Sequence, residues 1–146
     1  MSCSCCEKTA FASENAPKAI GPYSPAVKAN GFVFISGQLG LDPATGNLVE
    51  GGLEAETRRA LTNLKNLLEA AGAGLSQVTK TTVFLRDIAD FARMNAIYAE
   101  FFTETPPARS AFQVAALPKG AAIEIEAIAA VCVCKDGCDC ECSCEG

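Results

Sequence analysis

The chain of 146 residues carries a formal charge of −5, nine cysteines and no histidine. A chain of this length buries roughly 70% of the surface its unfolded form exposes, enough for one domain whose core needs neither metal nor disulfide. The acidic balance comes without a basic cluster, so the electrostatic footprint of a nucleic-acid binder is missing, and the lack of histidine leaves proton transfer to Glu, Asp, Tyr, Lys or water.

The first twenty residues hold no apolar signal core, and no later stretch is long and apolar enough to cross a bilayer, so a cytoplasmic protein with no membrane partner is expected. Cysteine divides the chain into three: a tail at residues 1–7 with Cys3, Cys5 and Cys6, a cysteine-free stretch at 8–131, and a cysteine-rich tail at 132–146. Within the middle segment, Ala26-Val-Lys-Ala29 and Phe32-Val-Phe-Ile35 flank Asn30-Gly31, which supplies the two positive φ angles of a type I′ hairpin. A turn-rich loop follows at 42–47. Gly51-Gly52 then opens a helix to about residue 71, with Leu53, Ala60, Leu61, Leu64, Leu67, Leu68 and Ala71 on one face and Gly72 at its C-terminal end. Residues 78–85, rich in Val, Thr and Phe, predict a strand. Asp87 is placed to cap a second helix at about 88–102, whose apolar stripe is Ile88, Phe91, Tyr98 and Phe102. Two more strands are expected at 110–115 and 122–133, joined through the turn Leu117-Pro-Lys-Gly120.

This order predicts α/β layers with both helices on one face of a mixed sheet. Phe32 and Phe34 share one side of their strand and Val33 and Ile35 the other, so both sides are expected to be buried, and association with further copies would cover the side that no helix reaches.

In the last strand Glu124 and Glu126 project to one face while Ile123, Ile125 and Ala127 project to the other. Such a pair serves acid–base chemistry, and it equally fits a solvated strand. Arg109, in Pro107-Ala-Arg-Ser110, has the fork geometry that grips a carboxylate through two charge-assisted hydrogen bonds, or stands as a surface charge at a strand entrance. Tyr23, in Gly21-Pro-Tyr-Ser-Pro25, is held in a stiff loop, as a pocket wall or as an anchor. Ser36 and Gly37 end a buried strand with a hydroxyl and a bare backbone, where a ligand or a bulge fits equally. Asn95 is a mid-helix amide that needs partners if buried. If the last two strands paired through their turn, Gln113 would face Glu124 and Arg109 would lie about 13 Å further along, so either the register differs or a neighbouring subunit completes the pocket.

Taken in order, residues 16–25 (Ala-Pro-Lys-Ala-Ile-Gly-Pro-Tyr-Ser-Pro), 34–38 (Phe-Ile-Ser-Gly-Gln), 80–85 (Lys-Thr-Thr-Val-Phe-Leu), 107–110, 114–119 and 123–128 (Ile-Glu-Ile-Glu-Ala-Ile) closely resemble the Rid family, the YjgF-like reactive intermediate deaminases. The resemblance spans residues 8–131. It implies a chorismate-mutase-like fold, a six-stranded mixed sheet with two helices on one face, assembled as a homotrimer with pockets between subunits. It also implies hydrolysis of 2-imino acids such as 2-iminobutanoate and 2-iminopropanoate to 2-keto acids and ammonia. In that setting Arg109 clamps the substrate carboxylate, Glu124 positions the attacking water, and Tyr23, Ser36, Gly37 and Asn95 line the pocket. Many relatives carry a cysteine two residues after the arginine, where this chain has Ala111. The chemistry demands no metal or organic cofactor, because an imino carbon is already electrophilic. A trimer that binds a small ligand without turnover is the competing reading, since fold alone does not fix function.

In the C-terminal tail Cys132 and Cys134, then Cys138, Cys140, Cys142 and Cys144, repeat a Cys-x-Cys spacing that resembles metallothionein-like clusters for soft ions. Reduced thiols in an extended tail, or a disulfide-linked tail, carry the same pattern. Cys3, Cys5 and Cys6 are candidates to join any such cluster.

Overall fold

A two-residue turn sets the register of the sheet. Asn30 (φ 47°) and Gly31 (φ 79°) both adopt the left-handed conformation that a type I′ turn requires. They join strand β2 (Ala26–Ala29) to β3 (Phe32–Leu39), with Ala29 opposite Phe32 and Lys28 opposite Val33. The computed structural model describes residues 7–132, and the cysteine-rich tail beyond Cys132 lies outside them. A short strand β1 (Thr9–Phe11), which the sequence pattern did not reveal, pairs antiparallel with β2. The other elements are α1 (Gly52–Ala70), β4 (Val78–Leu85), α2 (Phe91–Phe101), β5 (Ala108–Gln113) and β6 (Ile123–Ala130). The six strands are ordered β1-β2-β3-β6-β4-β5, antiparallel except for the β4–β5 pair.

The expected hairpin between the last two strands does not form. β4 lies between them, pairing with β6 on one side and running parallel to β5 on the other. A parallel pair needs a crossover, and α2 supplies it. The second helix also starts later than expected. Asp87 Oδ1 accepts from the Ala89 backbone N–H at 2.9 Å, but it caps a single 3₁₀ turn (Ile88–Asp90) that precedes α2. Ile88 and Phe91 are therefore exposed, and the buried stripe of α2 is Met94, Ile97 and Tyr98.

One face of the sheet carries the core. Val33, Ile35, Val83, Leu85, Ile123, Ile125 and Ala127 alternate with exposed or half-buried neighbours and pack against Leu61, Leu64, Leu67 and Leu68 of α1. Burying each such leucine contributes about 1.5–3 kcal/mol. The other face has no helix. There Phe32 and Phe34 are 43% and 44% exposed and Phe112 is 45% exposed, so within one chain the expectation that both sides of β3 are buried does not hold.

Polar contacts from α1 fix the strand ends near this apolar core. Asn63, fully buried, donates through Nδ2 to the carbonyls of Leu39 (3.2 Å) and Leu41 (2.9 Å), while Arg59 donates to its Oδ1 at 2.9 and 2.7 Å. Glu56, also buried, accepts from the Ala122 backbone N–H at 2.7 Å, just before β6 begins. The chain at Gly40 passes so close that a Cβ there would stand 2.5 Å from the Glu56 Cα, which leaves room for glycine alone.

Candidate active site

On the open face, beside the end of β3, a cavity of about 480 Å³ is lined by Tyr23, Ser36, Gly37, Leu39, Glu124 and Glu126 among others. Its wall is built by a register shift. Between Ile35 and Gln38 the pairing of β3 with β6 slips, the Gln38 side chain turns inward, and its Nε2 donates to the Ser36 carbonyl at 2.9 Å. Ser36 fastens the Tyr23 loop to the strand: its Oγ donates to the Ser24 carbonyl at 2.7 Å and its backbone N–H to the Pro25 carbonyl at 2.9 Å. Tyr23 itself is half exposed at the cavity mouth.

Glu124 occupies the space that Gly37 leaves. A Cβ on Gly37 would stand 1.9 Å from Glu124 Oε1, so the glycine is needed for this carboxylate to lie against the strand. Burial pushes the Glu124 carboxyl above the usual carboxylate range, and the charge of Glu126 on the same face adds to the rise. Glu126 is exposed. Lys119, left-handed at φ 58°, also lines the cavity and ties its loop down by donating from Nζ to the Gly46 carbonyl at 2.8 Å.

Arg109 and Asn95 are not in this cavity. Arg109 pairs with Thr81 of β4 and lies on the helix face, with its guanidinium carbon 4.7 Å from the Tyr98 ring centroid and 5.4 Å from that of Phe91. Both distances are within the range of cation–π attraction. Among the described residues no carboxylate lies within ion-pair distance of it, whereas Arg58 and Arg93 pair with Glu100 and Glu54. Phe91, Asn95 and Tyr98 follow an i, i+4, i+7 spacing, so the half-buried Asn95 belongs to the stripe that Arg109 covers. Tyr98 is fixed in turn by a 2.7 Å hydrogen bond with Thr81 Oγ1, and burial raises its phenol above the ordinary value against the opposing effects of Thr81 and the Arg109 charge.

The sequence-derived residues thus form two groups on opposite faces of the sheet. Arg109 aligns through Thr81 with Ala127, which puts its Cα two strands across from Glu124 and three residues along, about 14 Å away. The aromatic bed of Arg109 was not foreseen. Its only signal was the helical spacing of Phe91 and Tyr98, which also fits an ordinary apolar stripe. Ala111, two residues after Arg109, packs against the core from the same face.

Comparison with known proteins agrees with this architecture. The model of the endoribonuclease L-PSP family matches residues 13–131. The 2-iminobutanoate/2-iminopropanoate deaminase of Homo sapiens is 54% identical over 114 residues, which cover 78% of this chain and 83% of that protein. A RutC family protein of Pyrococcus horikoshii is 55% identical over 122 residues, covering 84% of this chain and 97% of its own. Among solved structures, the Escherichia coli YjgF gene product matches with a TM-score of 0.80 at 46% identity, covering 84% of this chain and 98% of that one. The structure of E. coli TdcF with bound serine matches with a TM-score of 0.81 at 40% identity, covering 85% of this chain and 99% of that one. The chain belongs to the endoribonuclease L-PSP family, the YjgF/Rid group.

Proposed function

We propose that the protein hydrolyses small 2-imino acids, 2-iminobutanoate and 2-iminopropanoate, to the 2-keto acid and ammonia. The observation that carries this reading is Arg109. A guanidinium held against two aromatic rings, with no acidic partner among the described residues, is a receptor for an incoming carboxylate. The relatives named as 2-iminobutanoate/2-iminopropanoate deaminase support the choice of carboxylate. In the proposed reaction Arg109 grips that group and Glu124 orders a water. The water oxygen bonds to the carbon of the imine, whose nitrogen is protonated and takes up the C=N π pair, as one water proton passes to the Glu124 carboxylate. Glu124 then returns that proton to the nitrogen of the tetrahedral adduct, the C–N bond breaks with release of ammonia, and the adduct's hydroxyl passes its proton to Glu124 as the carbonyl of the keto acid forms. A carboxyl whose pKa is raised by burial and by Glu126 is a stronger base for this proton exchange once ionised, and such help is typically worth ~10²–10⁴-fold. Tyr23, Ser36, Gly37 and Asn95 line the substrate pocket.

Because Arg109 and Glu124 lie on opposite faces within one chain, the complete pocket is proposed to form between subunits of a homotrimer, with Arg109 from one and Glu124 from the next. The exposed Phe32, Phe34 and Phe112 on the helix-free face support association. RNA cleavage, which the family description suggests, is not adopted, since the net charge of −5 gives no attraction to a polyanion. A second reading, a trimer that binds a ligand without turnover, is favoured by the relative solved with bound serine. Generating 2-iminobutanoate in situ with threonine dehydratase separates the two. Deaminase activity accelerates 2-ketobutyrate release and Arg109→Ala abolishes it; wild-type-like release by that variant, or no acceleration by the parent protein, overturns the assignment.

A further inference from the structure

The arginines of the chain are held in two ways. Arg58 donates to Glu100, Arg59 to Asn63, Arg86 to the Gly120 carbonyl, and Arg93 to Glu54 and Asp90. Arg109 is the exception: among the described residues no oxygen accepts from its guanidinium, which stands instead over the rings of Tyr98 and Phe91. The difference matters for a group that has to receive an anion. An oxygen acceptor fixes a guanidinium by occupying its N–H donors, whereas a ring face attracts the charge and leaves those donors free.

The ring under the guanidinium is itself fixed. Tyr98 is buried, its hydroxyl shares a 2.7 Å hydrogen bond with Thr81 Oγ1, and its centroid lies 4.6 Å from that of Phe102 with the two rings tilted by 35°. Thr81, fully buried on β4, is the register partner of Arg109 on β5, and paired residues of neighbouring strands project to the same face. One rung of the sheet therefore sets both ends of the contact. Thr81 holds the hydroxyl end of the ring from β4, and the stem of Arg109 rises from β5 one strand spacing away, about 4.8 Å. Burial raises the pKa of the phenol and keeps it protonated at neutral pH, so the arginine is drawn to a ring face and not to a phenolate that would compete with an incoming carboxylate.

From this geometry we infer that Tyr98, with Phe91 beside it, is a positioning residue for the proposed hydrolysis: the rings hold the Arg109 guanidinium in place with its donors free for the two carboxylate oxygens of the 2-imino acid, while Thr81 fixes the Tyr98 ring. The inference rests on the reading of Arg109 as the carboxylate clamp. The carboxylate is gripped in the substrate and in the transition state alike, so loosening the guanidinium weakens both together and falls mainly on KM.

The test compares Tyr98→Leu, Tyr98→Phe and Phe91→Leu in the full chain by the kinetics of 2-iminobutanoate hydrolysis and by the NMR resonances of the Arg109 guanidinium, identified by their loss in Arg109→Ala. Tyr98→Leu and Tyr98→Phe both lose the bond to Thr81, and only the first loses the ring. Tyr98→Leu is expected to raise KM about tenfold with a smaller change in kcat, and Tyr98→Phe to recover most of that loss. The guanidinium N–H protons, shielded by the ring in the parent protein and in Tyr98→Phe, move to higher frequency in Tyr98→Leu. Phe91 is exposed, so Phe91→Leu keeps the fold, and it is expected to raise KM about threefold. Equal KM and equal guanidinium shifts in Tyr98→Leu and Tyr98→Phe overturn the positioning role, as does a loss confined to kcat. If Tyr98→Leu does not fold, a parent-like KM and guanidinium shift in Phe91→Leu overturn it. A parent protein that hydrolyses no imine overturns the assigned reaction, and this inference with it.

Discussion

Glu124 meets two opposing demands: proximity to a buried strand favours a neutral carboxyl, and the proposed water activation needs an ionised one. Folding raises its pKa, first through burial and then through Glu126. The fold therefore favours the protonated form, and the stability it contributes is complete below the unfolded-chain pKa and lost as pH rises through the folded value. Glu124→Gln, neutral at every pH, is expected to abolish imine hydrolysis while raising the melting temperature, with the larger gain at neutral pH. Thermal unfolding at neutral and acid pH checks this, and an equal or larger gain in acid would contradict it. Glu126→Gln removes only the charge contribution. It should move the acid limb of the activity profile to lower pH, because Glu124 then stays ionised further into acid; a limb that stays put or moves upward would remove Glu126 from the account. Arg109 shows how little a single residue reveals by itself. As a letter it was a surface charge or a carboxylate clamp, and only its position over Tyr98 and Phe91, free of any acid within ion-pair distance among the described residues, distinguishes the two.

Elements were legible wherever local chemistry alone determined them. The Asn30–Gly31 hairpin, the apolar face of α1 and the alternation of Glu124 and Glu126 with Ile123 and Ile125 all follow from period and turn type, and the structure bears them out. The pairing of β5 was not legible, because a short turn between two strands implies a hairpin, whereas the chain places β4 between them. β1 was missed because three residues carry too little period to detect. Glu56 was missed for a related reason: an acidic residue near a helix start looks like a charge complementing the helix dipole, and only the fold aims it at the Ala122 N–H. That bond joins α1 to the start of the strand carrying Glu124. Glu56→Ala leaves a buried donor without a partner and is expected to cost about 1–3 kcal/mol in denaturant unfolding, with Glu56→Gln milder because an acceptor remains. A loss below half of that range in Glu56→Ala would mean that water satisfies the Ala122 N–H.

At the scale of the whole molecule, the division of Arg109 and Glu124 between the two faces of one sheet becomes a question about assembly. Within a chain their Cα atoms are about 14 Å apart with the sheet between them, and no side-chain rotation brings them to one small substrate. In the proposed closed ring of three subunits every interface would be equivalent, and the half bearing Arg109 on one subunit would meet the half bearing Glu124 on the next. This arrangement predicts complementation. Arg109→Ala and Glu124→Ala are each inactive alone, but a mixed trimer always contains one interface at which the intact Arg109 of one subunit faces the intact Glu124 of another. Random assortment of equal amounts rebuilds about a quarter of the wild-type sites over all trimers, and about a third within the doubly tagged ones. Co-expression of the two variants with different tags, isolation of doubly tagged protein and the threonine dehydratase assay measure it. Doubly tagged protein without activity would place the working pair within one chain, and the geometry of Arg109 on the helix face would then have to change for catalysis.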